Sequence, residues 1–297
     1  MNASTTPVTA AQMAQRERLR DPLMLSAQAE ADLTSRYARR PCPGAPAFGT
    51  LRVLHMALIR HLKRNASISL AEGHAPPFEL EAWLEHAEAR VGSGARRICE
   101  TGFNTGHSAS AWLCLQPNAR YIGFDLMRSH APAAALAFLN TVFKGRISIV
   151  AGDSLQTLPA YVRRHQAGEF ADTCDIISVD GGHKSYQARS DLINMHALAG
   201  PGNFLVMDDL KCSFSSCPMP TRVWGQEMLP QRLVVETNCS KAYESHAQGW
   251  CWGYFNVSTP ARVGGYVYGR RLDDPTSKLL SFTSEISSLQ LPETLAC

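Results

Sequence analysis

The sequence lacks any long, uninterrupted apolar run, although 45% of its 297 residues are hydrophobic. Its apolar stretches are too short to span a bilayer, and no secretory signal follows Met1. The charges form no long run of one sign either, and the formal net charge is only +3. We therefore expect no membrane partner. The short basic clusters are interpreted as solvated surface, not as a nucleic-acid site.

The nine cysteines lack the paired spacing of a zinc site. Cys99, Cys114 and Cys174 instead lie in apolar runs, where a free thiol packs as a small hydrophobe. This pattern predicts a reducing compartment and a cytoplasmic location. The alternative is an organelle, because the first sixteen residues contain no acid and are rich in Ser, Thr and Ala, as in a transit peptide.

Composition and pattern divide the chain into four predicted parts. They are an N-terminal appendage, partly helical or disordered (1–45), a helical lid or substrate region (46–94), a main domain (95–272) and a flexible tail (273–297).

The residues before the main domain favour helices. Gln12–Ala38 has helical composition, and Leu51–Leu62 carries apolar residues at helical spacing. A further helix is predicted over Glu79–Val91. The segment Leu70–Phe78, which contains His74, is interpreted as a loop that forms part of a lid.

From Arg97 onward, short β-rich runs alternate with longer helical stretches. Five successive runs end at or just before Glu100, Asp125, Asp153, Asp180 and Asp208, and the intervals between these acids are 25, 28, 27 and 28 residues. Each interval is about the length of one strand-helix unit. The predicted runs are Arg97–Thr101, Tyr121–Asp125, Ile147–Ala151, Cys174–Asp180 and Asn203–Asp208. We therefore predict an α/β fold with a Rossmann-like, doubly wound, mostly parallel sheet.

The region after Asp209 is predicted to complete this sheet. Arg232–Thr237, Gly249–Asn256 and Val263–Tyr268 are expected as antiparallel edge strands, and Thr221–Leu229 as a helix. Five aromatic residues here either wall an acceptor pocket or pack inside the protein, and we favour packing. They are Trp224, Trp250, Trp252, Tyr254 and Phe255.

The first strand-to-helix turn reads Glu100-Thr-Gly-Phe-Asn-Thr-Gly106. Its two glycines suit close approach of the backbone to a ligand, and the helix that follows directs free N–H groups toward an anionic group. Asp125 ends the next strand, where a carboxylate accepts ribose hydroxyls. Asp153 and Ser154 end the third strand, next to the expected position of an adenine. These features together suit S-adenosylmethionine.

These residues resemble the class I S-adenosylmethionine-dependent methyltransferases over roughly Ala95 to Tyr254. The resemblance implies that Glu100 contacts the amino group of the cofactor and that Asp125 contacts its ribose. The other cofactor-site residues that we expect are Gly102, Asn104, Gly106, Ser108, Asp153 and Ser154.

A second stretch, Asp180-Gly-Gly-His183-Lys-Ser-Tyr186, is followed by the pair Asp208-Asp209. These two sequence motifs resemble those of metal-dependent small-molecule O-methyltransferases of the catechol, caffeoyl-coenzyme A and macrolide-sugar types. The resemblance implies that Asp180, Asp208 and Asp209 bind Mg²⁺, with Ca²⁺ as the alternative, since both prefer oxygen ligands. Catechol O-methyltransferases carry a lysine that acts as general base at the position of His183, so the resemblance implies this role for His183, although a histidine departs from the pattern. Lys184 is the alternative base, and His183 is otherwise interpreted as a helix-capping or solvent-exposed residue.

Several alternatives remain at this point. The acids are also suited to capping loops, and Asp208 and Asp209 both reach a metal only if the strand ends between them. The expected activity is methyl transfer to a hydroxyl of a small molecule, by a chain that is a candidate homodimer. The rivals are a metal-independent N-methyltransferase and a non-catalytic module that binds S-adenosylmethionine.

Overall fold

The computed structural model describes residues 27–66, 75–211, 216–241, 249–259, 266–267 and 270–271. The transit-like segment, His74 and the predicted tail lie outside the described residues. Most of the predicted lid loop lies outside them too.

The centre of the fold is a seven-stranded sheet with the strand order β3-β2-β1-β4-β5-β7-β6. The first five strands in this order are parallel, and β7 and β6 continue the sheet in antiparallel pairings. The bounds are β1 Arg97–Thr101, β2 Arg120–Asp125, β3 Ile147–Ala151, β4 Cys174–Val179, β5 Ala199–Met207, β6 Val234–Lys241 and β7 Gly249–Phe255. The predicted fold class is therefore confirmed.

Helices cover the sheet and alternate with its parallel strands. Their bounds are α1 Ala27–Arg39, α2 Leu51–Asn65, α3 Pro77–Val91, α4 His107–Leu115, α5 His130–Val142, α6 Ser154–Gln166, α7 Ser185–Leu198 and α8 Pro218–Arg222. A single 3₁₀ turn spans Pro46–Phe48, and α8 continues into a wider π-helical turn at Val223–Met228. Within the described ranges, no helix has both the length and the apolarity that a membrane span requires.

One of the three predicted edge strands pairs in a different place. β6 and β7 are antiparallel neighbours as predicted, although β7 lies between β5 and β6. The third run, Val263–Tyr268, does not complete this sheet among the described residues. Its strand Tyr266–Val267 (β8) pairs with Arg270–Arg271 (β9) as a separate two-stranded sheet. Such a local hairpin closes a very short loop and therefore loses little chain entropy.

The N-terminal helices share one hydrophobic core with the main domain. Leu54 of α2 and Trp83 of α3 are almost fully buried in the cluster that includes Trp112 of α4. The rings of Trp83 and Trp112 stack with their centroids 6.2 Å apart. A mostly buried ion pair between Arg40 and Glu81 also joins the end of α1 to α3. This packing fixes α3 over the sheet.

The prediction of free, core-packed thiols is wrong. Cys42 is disulfide-bonded to Cys114, and Cys99 to Cys174. A third disulfide joins Cys239 and Cys251 across β6 and β7. The paired cysteines are 72, 75 and 12 residues apart, and the two long separations concealed the pairing in the sequence. Because disulfides persist in oxidising compartments, the argument for a cytoplasmic location loses its basis.

Candidate functional site

The candidate site lies at the carboxyl ends of the parallel strands. After β1, the chain builds β2 and β3 on one side and then crosses to build β4 and β5 on the other. Ligands of such sheets bind in the crevice at this point of reversal. The backbone N–H groups of Asp180 and Asp208 donate to the last carbonyls of β1 and β4, and that of Gly102 to the second-last carbonyl of β2, so the strand ends are aligned.

Glu100 lies at the bottom of the crevice and is fully buried. Its Oε2 accepts hydrogen bonds from the hydroxyls of Ser108 and Tyr121. Its Oε1 has no hydrogen-bond partner among the described residues, although Ser178 and Trp112 lie near enough to favour the charged form. Burial raises the pKa of Glu100 to about 7, and these polar neighbours only partly oppose the effect. An unused buried carboxylate oxygen fits the amino group of the cofactor.

The backbone conformation and the close packing of the first loop explain both of its glycines. Both have positive φ, +88° at Gly102 and +73° at Gly106. A Cβ on Gly102 would lie 1.8 Å from the carbonyl oxygen of Asp180, and one on Gly106 would press on Leu139 and Phe103. Glycine is therefore required where β1 and β4 leave the sheet side by side, independently of any ligand.

Asp125 is held by backbone amides at the end of β2. Its Oδ2 accepts from the N–H of Asn104 at 2.9 Å, and its Oδ1 from the N–H of Met127 at 2.7 Å. Asn104 and Met127 both have positive φ, and this conformation directs their amides at the carboxylate. Each carboxylate oxygen has a second lone pair, so the group stays available to ribose hydroxyls.

Asp153 and Ser154 begin helix α6. Asp153 is the N-cap, and its Oδ1 accepts from the N–H of Leu155 at 3.0 Å. Ser154 is close to the buried carboxyl of Asp191, whose pKa burial raises to about 7. Asp153 therefore satisfies one of the free N–H groups in the first turn of α6, independently of any ligand.

Three aspartates meet beside the end of β4 and β5. One carboxylate oxygen of each of Asp180, Asp208 and Asp209 lies within 4.8 Å of the others. Strand β5 ends at Met207, and Asp209 has a φ of +56°, so consecutive residues both turn into the crevice. Burial and the charge of Asp209 raise the pKa of Asp208 to about 6. Burial and the charge of Asp208 raise the pKa of Asp180 well above its usual range. This cluster has the donor set of a hard divalent cation.

His183 lies at the rim of this cluster and is half exposed. Its Nε2 is 2.6 Å from Oδ2 of Asp209, and this bond raises the pKa of the imidazole. Ser216 donates to the other oxygen, Oδ1, of Asp209 at 3.1 Å. Asp209 therefore orients His183 in addition to facing the other two acids.

Glu79 was not among the predicted site residues. It lies in the first turn of α3 and is fully buried, and both of its carboxylate oxygens lack a hydrogen-bond donor among the described residues. Its pKa is raised well above the usual range by burial and by the charge of Asp208. The pattern of apolar residues in the predicted helix did not indicate that Glu79 is buried, because amphipathic helices normally expose their acids.

The aromatic residues of β7 and the π-helical turn mostly pack in the core. Trp224, Trp250 and Phe255 are almost fully buried, as the packing interpretation predicted. Trp252 is partly exposed and stacks on His86 of α3, with ring centroids 4.0 Å apart. Tyr254 lies under the guanidinium of Arg90, also of α3. The contacts of Trp252 and Tyr254 hold α3 against the sheet.

Comparison with known proteins gives a consistent result. The family model described as a methyltransferase domain matches residues 99–210. The O-methyltransferase ankF of Aspergillus thermomutatus is 32% identical over 120 residues, which are 39% of this chain. The match spans only 46% of that curated relative, less than half its length.

Two examples illustrate the likeness of the fold to solved structures. The O-methyltransferase TomG from Streptomyces achromogenes, involved in tomaymycin synthesis and solved with S-adenosylmethionine, aligns with a TM-score of 0.53 at 18% identity. This alignment covers 67% of the present chain and 89% of TomG. An O-methyltransferase from Bacillus cereus with S-adenosylhomocysteine gives 0.54 at 16% identity, over 67% and 90% of the two chains. The chain therefore shares the fold of these two methyltransferases, and its residues 99–210 match the family model of a methyltransferase domain.

Proposed function

We propose that this protein is an S-adenosylmethionine-dependent O-methyltransferase that acts on a hydroxyl of a small molecule with the help of a divalent cation. The observation that carries the proposal is the position of the Asp180, Asp208 and Asp209 cluster, in the same crevice as Glu100. The names of the curated relative and of the two solved structures support O-methylation.

The cofactor would occupy the β1–β3 side of the crevice. Oε1 of Glu100 fits its ammonium group, and Asp125 fits its ribose hydroxyls. The turn from Gly102 to Gly106 and the first turn of α4, with Ser108, would receive the carboxylate. Asp153 and Ser154 would lie at the adenine end. The sulfonium of this cofactor supplies an activated methyl group.

The metal would lie on the β4–β5 side, held by Asp180, Asp208 and Asp209. All three offer hard oxygen ligands, which suit Mg²⁺ or Ca²⁺. A divalent cation there supplies Lewis acidity toward the hydroxyl of the acceptor.

His183 would remove the proton of the acceptor. Because Nε2 is directed at Asp209, Nδ1 is the nitrogen that takes this proton. Asp209 fixes the ring in that orientation and stabilises the imidazolium that results. Lys184 is the alternative base. The cap position that it occupies at the start of α7 turns its ammonium toward the ring of Tyr186, 5.9 Å from the centroid.

The decisive experiment measures transfer of an isotopically labelled methyl group from S-adenosylmethionine to a panel of small hydroxyl and amine acceptors. We expect label on oxygen with Mg²⁺ and none with EDTA. Undiminished transfer to nitrogen in EDTA would favour the metal-independent N-methyltransferase. Binding of S-adenosylhomocysteine without transfer to any acceptor would favour the non-catalytic module.

The division into a lid (46–94) and a catalytic domain (95–272) remains part of this proposal.

A further inference from the structure

Glu79 places a fourth carboxyl group beside Asp208, one of the three aspartates, from a part of the chain that the methyltransferase-domain match does not include. The match begins at residue 99, whereas Glu79 lies in helix α3. α3 is fixed over the sheet by the stacking of Trp83 on Trp112 and of His86 on Trp252. Glu79 therefore reaches the crevice on a rigid element and not on a loop.

The immediate neighbour of Glu79 is another acid. The charge of Asp208 acts on Glu79 most strongly after burial itself, and Asp180 and Asp209 act on it in the same direction. Two ionised carboxylates offer each other no hydrogen-bond donor, so their contact requires a shared proton or a cation between them. Leaving a buried charge without such a partner is costly.

The described residues around the cluster provide little positive charge. The ion pairs of the described lysines and arginines go to other acids, and none goes to Glu79, Asp180 or Asp208. The cationic group that faces the cluster is the half-exposed imidazole of His183, through Asp209. Ionisation of all four carboxyl groups would leave a large negative charge in a buried space, which raises their pKa values in the absence of a cation and which a divalent cation would neutralise.

We propose that Glu79 is the fourth carboxylate of the metal site and that it strengthens the binding of a divalent cation from the side of helix α3. The proposal rests on the proposed function, because it assumes that the three aspartates bind a metal. Glu79 is a ligand of the cation or of a water on it, and in either position its negative charge raises the affinity of the site.

The test measures Mn²⁺ binding by calorimetry and by electron paramagnetic resonance of the free ion, with the protein saturated with S-adenosylhomocysteine. Glu79→Gln keeps the size of the side chain and removes its charge. We expect it to weaken Mn²⁺ binding on the order of ten- to hundredfold, as for other groups that support metal ligands. The matched control is Glu85→Gln on the same helix, whose exposed carboxylate pairs with Arg36, and we expect it to bind Mn²⁺ as the wild type does.

A stability readout separates this role from a merely structural one. In EDTA, Glu79→Gln is expected to keep a melting temperature close to that of the wild type, because the raised pKa of Glu79 favours the uncharged carboxyl when no cation is bound, and added Mn²⁺ is expected to stabilise the variant less than the wild type. A structural role would instead lower the melting temperature in both conditions. If Glu79→Gln fails to fold, Glu79→Asp, which retracts the carboxylate, is expected to give an intermediate affinity.

The outcomes distinguish the two proposals. Mn²⁺ binding that Asp208→Asn abolishes and Glu79→Gln leaves unchanged would overturn the role of Glu79 alone. A wild-type protein that binds S-adenosylhomocysteine but no Mn²⁺ would overturn both the metal assistance and the role of Glu79. Weakened Mn²⁺ binding in Glu79→Gln, with normal binding of S-adenosylhomocysteine, would support the proposal.

Discussion

The acidic side chains on the two sides of the crevice have different neighbours. On the β1–β3 side, Asp125 and Asp153 accept hydrogen bonds from backbone N–H groups two residues further along the chain. On the β4–β5 side, Asp180 and Asp208 face other carboxylates, and burial raises their pKa values. Among the acids assigned to the cofactor, Glu100 keeps one unpartnered carboxylate oxygen, whereas the acidic side brings several carboxyl groups together without a donor for each. This difference supports the proposal of a divalent cation on the acidic side and of an ammonium group beside Glu100.

The largest effect is expected at the acidic side. Asp208→Asn keeps an oxygen that can accept from the N–H of Asp209 but removes a charge from the cluster. We expect turnover to fall about a thousandfold or more, because the loss of metal assistance is worth several kcal/mol. The affinity for S-adenosylhomocysteine should stay within about threefold of the wild type. Normal turnover in this variant would show that the two sides do not differ in the way described.

The disulfide Cys99–Cys174 joins the two sides, because it connects β1 to β4. Replacing both cysteines by alanine should lower the free energy of unfolding by about 4 kcal/mol, from the entropy of a loop with 75 residues. The matched control removes Cys239–Cys251, which closes a loop of only 12 residues and should cost about 3 kcal/mol. Urea unfolding with and without reductant measures both. Wild-type stability that is unaffected by reductant would restore the prediction of free thiols.

On the cofactor side, Asp125→Ala removes the acceptor that we assign to the ribose and also frees the amides of Asn104 and Met127. Hydrogen bonds to a charged group are worth about 1.5–3 kcal/mol, so the affinity for S-adenosylhomocysteine should fall about a hundredfold. Mn²⁺ binding should not change. Calorimetry of both ligands checks the prediction, and an equal loss of both would contradict the independence of the two sides.

We expect cofactor binding to depend on pH through Glu100. Burial raises its pKa to about 7, and the cofactor ammonium favours the ionised form, so binding below pH 7 must release a proton. We expect the dissociation constant of S-adenosylhomocysteine to rise about tenfold for each pH unit below 7 and to be level above it. Glu100→Gln should bind more weakly and lose this dependence. A level profile in the wild type would remove Glu100 from the ammonium site.

The smallest effect is expected at the cap of α6. Asp153→Ala should destabilise the protein by about 1 kcal/mol, and Asp153→Asn should not, because asparagine caps equally well. In the asparagine variant, the affinity for S-adenosylhomocysteine should stay within about threefold of the wild type, because the backbone already holds the strand end. A tenfold loss there would assign Asp153 a direct contact with the adenine. Chemical denaturation and calorimetry provide the two measurements.

The sequence predicted the local features of this fold well. The runs Arg97–Thr101 and Ile147–Ala151 match β1 and β3, because an apolar run that ends at an acid is a local signal. The same signal located Asp180, Asp208 and Asp209, and the structure brings them together. The strand was expected to end between Asp208 and Asp209, but β5 ends at Met207, so neither aspartate lies in a strand and both can face one site.

The missed features depend on contacts between distant parts of the chain. Glu79 meets Asp208 only because α3 packs over the sheet, and nothing in its own helix indicates burial. Cys99 and Cys174 both lie in apolar runs, and only the pairing of β1 with β4 shows that they are adjacent. The glycines were assigned to ligand approach, whereas Gly102 is required by the carbonyl of Asp180.

The most direct test of the account is calorimetric titration of Mn²⁺ into the wild-type protein and into Asp208→Asn, each with and without saturating S-adenosylhomocysteine. The account predicts one Mn²⁺ per wild-type chain in both conditions, none in Asp208→Asn, and S-adenosylhomocysteine binding that persists in EDTA. A wild-type protein that binds S-adenosylhomocysteine but takes up no Mn²⁺ would contradict the claim that the acidic side of the crevice is a metal site.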